Sequence, residues 1–306
     1  MAKTRLQFRL DDNTPRIDLA VAEQTGASRA VVRGMFDHGC VSLNGAACDE
    51  AGRPGRLGDL LVVEFEAERR YKEKPREREH RSFRIAFEDK FLIVVEKIAG
   101  ILTVPTDHGE QDTLVHLVAR HMSKGQRITK RASIVHRLDR DTSGLLVFGK
   151  SDAVANAIKD QFEARKPERE YAAIVAGRLA QDRGTFRSFL VTNDALDQVS
   201  TTVPGEGKLA VTHFEVVERL RGATLVRVNL ETGRRNQIRV HFAEIGHPVL
   251  GDVRYAVERA HHPAWREKRL ALHARTLGFR HPVTGEPLRV TSELPAVFLR
   301  FLAAAR

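Results

Sequence analysis

The sequence predicts an α+β protein in two units. A small N-terminal α/β unit covers residues 1–66, and a larger unit built on a mixed, largely antiparallel sheet covers 83–306. Three observations lead there. The stretch 67–82 carries one proline and almost no apolar side chains, so it cannot bury a core and reads as a charged linker. Beyond it, strand and helix patterns are interspersed without the regular alternation of a doubly wound fold. The length of 306 residues and a hydrophobic fraction of 42% suffice for two soluble domains.

In the small unit, Ser28 can cap a helix running to about Asp37 and ended by Gly39. Arg29 and Arg33 sit four apart and share a face, Val31 and Met35 point roughly the other way, and Phe36 falls between the two. Short strands follow at 41–43 and 60–65, with Asn44-Gly45 as a turn. Two arginines on a helix beside a small sheet can grip a phosphate backbone. The same spacing also describes an ordinary solvated helix face.

The larger unit opens with the apolar run FLIVV at 91–95, a buried strand ahead of a glycine turn, and then a loop over 103–112. Thr113 can cap a helix to about Met122, and Ser151 one that carries Val154, Ile158 and Phe162 on one face. Between them lies HRLDRDTSGLLVFGK, residues 136–150, whose second half is an apolar strand. Further strands are expected at 171–175, 211–217 and 225–230. A helix follows over about 235–245, closed by Gly246 with Pro248 beyond, and Ile238, Phe242 and Ile245 form its apolar stripe.

Charge bounds the partner. The chain carries a net +10, yet residues 1–65 hold 8 Lys and Arg against 9 Asp and Glu, a net of −1 that leaves +11 on the rest. Such a surplus suits a polyanion. Cys40 and Cys48 form no metal-ligand pattern and read as reduced thiols. No apolar run approaches the roughly 18 residues of a membrane span, and the N-terminus lacks a secretory stretch, so no membrane partner and a cytoplasmic setting are expected. The chain has no phosphate loop of the GxxxxGK[ST] type, no GxGxxG and no HExxH, and His241 and His247 read as structural. No cofactor and no metal are expected, and the chain is read as a monomer.

Three residues are candidates for chemistry. An aspartate before Thr-Ser-Gly is in general a turn former. Asp139, however, stands among His136, Arg137 and Arg140, and an ionised, positioned carboxylate can attack an electrophilic carbon. Arg239 borders the apolar stripe of its helix. It either snorkels to the surface or finds a buried anion, for which Asp139 is the obvious candidate. Tyr171 begins a strand after Glu168-Arg169-Glu170. It is either core or a ring at the wet end of the sheet on which a base could stack.

The residues also carry resemblances. Arg16-Ile17-Asp18, SRAVVRGMFDHGCVSLNG at 28–45 and GDLLVVEF at 58–65 resemble an S-four-like RNA-binding domain. HRLDRDTSGLLVFGK, REYAAIVAG, GKLAVTHFEV, GRRNQIRVHFAEIGHPVLGD and LALHARTLGFRHPVTGEPL occur in the order seen in RluA-type pseudouridine synthases, over about 83–306. The resemblance implies a pseudouridine synthase catalytic domain behind a small RNA-binding domain. The reaction would isomerise uridines, most often in large-subunit ribosomal RNA. It implies that Asp139 is the catalytic aspartate, Arg239 its paired arginine and Tyr171 the active-site tyrosine that stacks on the uracil and takes part in proton removal from carbon 5. Arg137 matches a residue that fills the gap left by the extruded nucleotide. Arg140, Arg16, Arg29 and Arg33 are assigned to RNA binding.

Departures are few. Lys97-Ile98-Ala99-Gly100 stand where the family often has Lys-Pro-Ala-Gly, Arg235-Asn236 where it has Thr-His, Arg169 where it has Lys, and Ala256 replaces a usual glycine. Other readings are a synthase acting on transfer RNA, a non-catalytic RNA-binding or ribosome-assembly protein on the same fold, and a hydrolytic glycosidase. The second predicts a lost nucleophile, and the third needs a second carboxylate at a defined separation.

Overall fold

The computed structural model describes residues 3–66, 69, 71, 82–124, 130–164, 167–201, 203 and 205–306. The chain divides into two compact units, Met1–Arg78 and Glu79–Arg306. Of the linker expected at 67–82, all but residues 69, 71 and 82 lie outside the described residues. Tyr71, assigned to that linker, is buried in the core of the first unit, and its hydroxyl accepts from the Glu66 N–H at 2.7 Å.

The first unit runs β1 (Lys3–Arg9), α1 (Ile17–Thr25), α2 (Arg29–Asp37), β2 (Val41–Leu43), β3 (Ala46–Ala47) and β4 (Leu60–Glu66). Its sheet has the order β1-β4-β2-β3 and is antiparallel throughout. The Ser28 side chain accepts from the Val31 N–H and starts α2 as expected. The buried face differs from the expected one: Val32, Met35 and Phe36 are buried, whereas Val31 is half-buried. Phe36 is fully buried because α2 contributes to a core that also takes Ile17 and Val21 of α1 and Leu61 and Val63 of β4, so its apolar arc is wide.

The second unit runs β5 (Phe83–Glu88), β6 (Leu92–Lys97), α3 (Leu114–Met122), β7 (Ser133–Ile134), β8 (Ser143–Gly149), α4 (Asp152–Glu163), β9 (Glu168–Ala176), β10 (Arg183–Thr192), β11 (Gln198–Thr201), β12 (Lys208–Leu220), β13 (Ala223–Leu230), α5 (Gln237–Glu244), β14 (Leu272–Arg280), β15 (Pro287–Thr291) and α6 (Ala296–Ala305). One sheet has the order β11-β10-β12-β13-β9-β14-β8-β6-β5, with β15 beside β14 and β7 beside β8. All its pairs are antiparallel except β14 with β8, so the sheet is mixed and largely antiparallel.

That one parallel pair positions the site. β14 lies between β8 and β9, with His273 opposite Ser143 on one side and Ala274 opposite Tyr171 on the other. The loop ahead of β8 and the start of β9 therefore meet across a single strand. Gly144 permits it: its φ is +116°, and a Cβ there would lie 2.1 Å from the Ala274 carbonyl oxygen.

Two helix details differ from the sequence pattern. The Thr113 side chain makes no cap bond to α3, because its hydroxyl lies 3.1 Å from His116 Nδ1 instead. Ile245, expected in the stripe of α5, is 45% exposed. That helix is buried on nearly every side, with Ile238, Val240 and Phe242 in apolar surroundings. Its buried Gln237 and His241 are satisfied by Val211, Thr212 and Ser188.

Candidate active site

Asp139 sits in the loop that leads into β8, and the backbone on both sides of it is braced. The Thr103 hydroxyl donates to the Leu138 carbonyl at 2.7 Å and accepts from the Leu138 N–H at 3.2 Å. The Arg140 carbonyl accepts from Lys97 Nζ at 2.8 Å and from the Gly100 N–H at 2.9 Å. The Asp139 carbonyl accepts from the Thr142 N–H at 3.2 Å, closing a turn over residues 139–142 directly ahead of Ser143 and Gly144, which already belong to β8. A carboxylate on so constrained a loop loses little orientational freedom when it reacts.

Arg239 is held from behind. Asp252, whose side chain is fully buried, accepts from Arg239 Nε at 2.7 Å and from Nη2 at 2.8 Å, a two-pronged pairing. Asp252 is itself fixed by the N–H groups of Arg254 and Tyr255 at 2.8 and 3.0 Å. The remaining nitrogen, Nη1, donates to Asp139 Oδ2 at 3.2 Å and to Asn236 Oδ1 at 3.3 Å. The Tyr255 ring lies 5.0 Å from the guanidinium carbon, and Asn236 Nδ2 donates to the Tyr255 hydroxyl. Burial works against the charge of Arg239, but Asp252 and then Asp139 outweigh it and raise its pKa above the ordinary arginine value. The arginine is a fixed cation, and the expectation that it snorkels to the surface is set aside.

Tyr171 completes the pocket. Asp139, Thr142, Tyr171, Asn236, Arg239 and Arg137 are among its lining residues, around a floor of about 60 Å³. A larger cavity of about 550 Å³ shares Arg137, Tyr171, Leu230 and Arg234 with it, so the two form one concave surface. Burial pushes the Tyr171 phenol up to about 12, with Arg169 pulling it down and Asp139 pushing it further up. The ring therefore presents a neutral phenol near pH 7.

The other expected residues are placed as follows. Arg137 is exposed at the junction of the two cavities. Arg140 is exposed outside both linings, with Asp141 3.3 Å away. Arg16, Arg29 and Arg33 line one cavity of about 280 Å³ in the first unit, with Asp18 and Leu19. His241 and His247 have structural partners, Thr212 and Ser188 for the first and the Ala176 carbonyl for the second.

Sequence reasoning missed Asp252, Asn236, Tyr255, Thr103 and Lys97. Lys97 is fully buried and donates to the carbonyls of Ile98, Ile101 and Arg140. Burial pushes its pKa down to about 7, against the pull of Asp141. The signal available for Asp252 was its place at the end of the motif GRRNQIRVHFAEIGHPVLGD. Cys40 and Cys48 are not joined in a disulfide. Among the described residues no cluster of His, Cys, Asp or Glu is arranged to hold a metal, and no helix is long and apolar enough to cross a membrane.

Comparison with known proteins covers nearly the whole chain. The family described as RNA pseudouridylate synthase matches residues 91–244, a span that includes Asp139, Tyr171 and Arg239. The chain is 34% identical over 289 residues to the ribosomal large subunit pseudouridine synthase D of Zymomonas mobilis, covering 92% of this chain and 90% of that one. It is 36% identical over 290 residues to a Bacillus subtilis protein named as an uncharacterized RNA pseudouridine synthase, YlyB, covering 93% and 92%. Its fold is similar to that of human RNA pseudouridylate synthase domain containing 4, with a TM-score of 0.58 at 23% identity over 73% of this chain and 92% of that one.

Proposed function

The chain belongs to the RNA pseudouridylate synthase family of isomerases, and we propose that it acts on uridines of large-subunit ribosomal RNA, with Asp139 as nucleophile, Arg239 as its counter-ion and Tyr171 as the ring that stacks on the extruded uracil. One observation carries the assignment of roles: a buried, doubly anchored guanidinium meets a one-quarter-exposed carboxylate at 3.2 Å on the floor of a cavity walled by a tyrosine.

The reaction breaks the bond between C1′ and N1 of uridine, turns the uracil, and joins C1′ to C5. The C5 proton leaves and N1 gains one, so substrate and product are isomers and no electrons are exchanged. The base must first leave its stack, at a cost of about a few kcal/mol. Phosphate contacts from the basic surplus beyond residue 65 offset that cost. Asp139 then attacks the sugar or the ring, or assists elimination at the sugar, and every one of these routes uses an ionised carboxylate beside a fixed cation. A tyrosine whose phenolate is disfavoured suits stacking better than unaided proton removal from C5.

The test is tritium release from a large-subunit ribosomal RNA transcript labelled at C5 of uridine. Wild type should release tritium, and Asp139→Ala should be slower by about a thousandfold or more. Arg239→Ala should lose turnover while keeping most RNA affinity. Release unaffected by Asp139→Ala would sink the nucleophile, and release from a transfer RNA transcript alone would move the substrate.

A further inference from the structure

We propose that the 550 Å³ cavity beside the catalytic floor is a phosphate subsite, in which Arg169, with Arg234 and Arg137, takes a backbone phosphate flanking the extruded uridine. The proposal rests on the reading of the substrate as RNA. Arg169 lies two residues ahead of Tyr171 on β9, so both side chains leave the same face of the strand. It is only 9% exposed, yet among the described residues no carboxylate comes within ion-pair distance of it. Nη2 donates to the carbonyls of Leu230 at 3.3 Å and Glu231 at 2.9 Å, whereas Nε is buried with no partner. The Phe162 ring, 5.2 Å from the guanidinium carbon, supports the cation but does not neutralise it.

Buried charges are ordinarily paired, so this one calls for an anion from outside the chain. Burial lowers the pKa of Arg169, and Arg234 adds to that against the pull of Tyr171. An arriving phosphate would relieve both effects. Two carboxylates line the cavity. Glu163 is exposed, and Glu231 lies 2.7 Å from His213 Nε2. The cavity also depends on Gly233, where a Cβ would lie 2.6 Å from Arg169 Nη1.

Three variants test it: Arg169→Met, Arg169→Lys and Gly233→Ala. The readouts are KM and kcat for tritium release from the ribosomal RNA transcript, and the slope of log Kd against log salt for the same RNA. Arg169→Met should raise KM about tenfold, leave kcat within about twofold, and flatten the salt slope by about one, the signature of one lost phosphate contact. Arg169→Lys should restore the slope. Gly233→Ala leaves net charge unchanged but displaces the guanidinium, and should raise KM alone. If Arg169→Met fails to fold, Gly233→Ala decides: a raised KM supports the subsite and an unchanged KM overturns it. A loss of kcat with KM and slope unchanged would make Arg169 a structural brace and overturn the proposal. No tritium release by wild type would sink the proposed function, while the salt slope would still report on Arg169.

Discussion

The two units each hold an arginine in a two-pronged grip by a buried aspartate, and they use it differently. In the first unit Arg16 donates to Asp18 from Nε at 3.0 Å and Nη2 at 2.7 Å, yet its side chain is 50% exposed and stands beside Arg29 and Arg33 in a cavity open to water. In the second unit Arg239 makes the same pairing with Asp252, but at 10% exposure, and its free nitrogen meets Asp139. Among the described residues of the first unit, Asp18 is the one buried charged side chain, whereas the second buries Lys97, Arg169, Arg239 and Asp252. Cations kept in water bind a polyanion by charge and exchange counterions cheaply. A cation fixed in a dry pocket acts on one atom at one place.

The comparison can be broken most sharply at Asp252. Asp252→Asn leaves Arg239 without its buried counter-charge, and losing one partner of such a pair costs about 3–5 kcal/mol. The expected result is a lowered thermal midpoint and a kcat reduced by about a hundredfold or more, with RNA affinity largely kept. Normal turnover would show that Arg239 needs no anchor. In the first unit, replacing Arg29 and Arg33 together with alanine should weaken RNA affinity about tenfold and flatten the salt slope by about two, with kcat at saturating RNA unchanged. A lost kcat on a short RNA would abolish the division of labour between the units.

A smaller effect in the second unit depends on pH. Burial pushes His241 down to about 4, from an ordinary value near 6.5. Between these values the unfolded chain binds a proton that the folded chain refuses. Stability from this group is therefore present above pH 6.5 and is lost as pH falls toward 4, by up to about 3 kcal/mol. Denaturant titrations across that range should give a flatter pH profile for His241→Gln than for wild type. An identical profile would contradict the acid sensitivity assigned to His241; His273 of the same unit is likewise pushed down to about 4 by burial. Smallest of all, Ala256 adopts φ +46°, so Ala256→Gly should gain about 1 kcal/mol and raise the thermal midpoint by a few degrees. A lowered midpoint would show that the side chain matters more than the backbone there.

Legibility in the sequence followed locality. The caps at Ser28 and Ser151 and the turn at Asn44-Gly45 depend on neighbours a few residues apart, and all three were readable. Asp139, Tyr171 and Arg239 stood out singly, from cations, a strand start and a helix stripe, but Asp139 and Tyr171 meet because β14 lies between β8 and β9, and Arg239 reaches Asp139 from α5, 100 residues on, which no local pattern encodes. Asp252 escaped because its partner is 13 residues away across a helix end. Lys97 escaped because three backbone carbonyls satisfying one side-chain amine leave no trace in spacing. The hairpin of β10 and β11 went unread because the half-buried face of β10 holds Gly184, Phe186 and Ser188 while Phe189 stands on its exposed face, so apolar and polar residues do not alternate.

The central claim is that Asp139, held against Arg239, isomerises uridines of large-subunit ribosomal RNA. Its most direct test is a map of pseudouridines in that RNA from a strain lacking the gene, complemented with wild type or with Asp139→Ala. The account predicts that at least one pseudouridine disappears on deletion, returns with wild type and does not return with Asp139→Ala. An unchanged map, or restoration by Asp139→Ala, would contradict it.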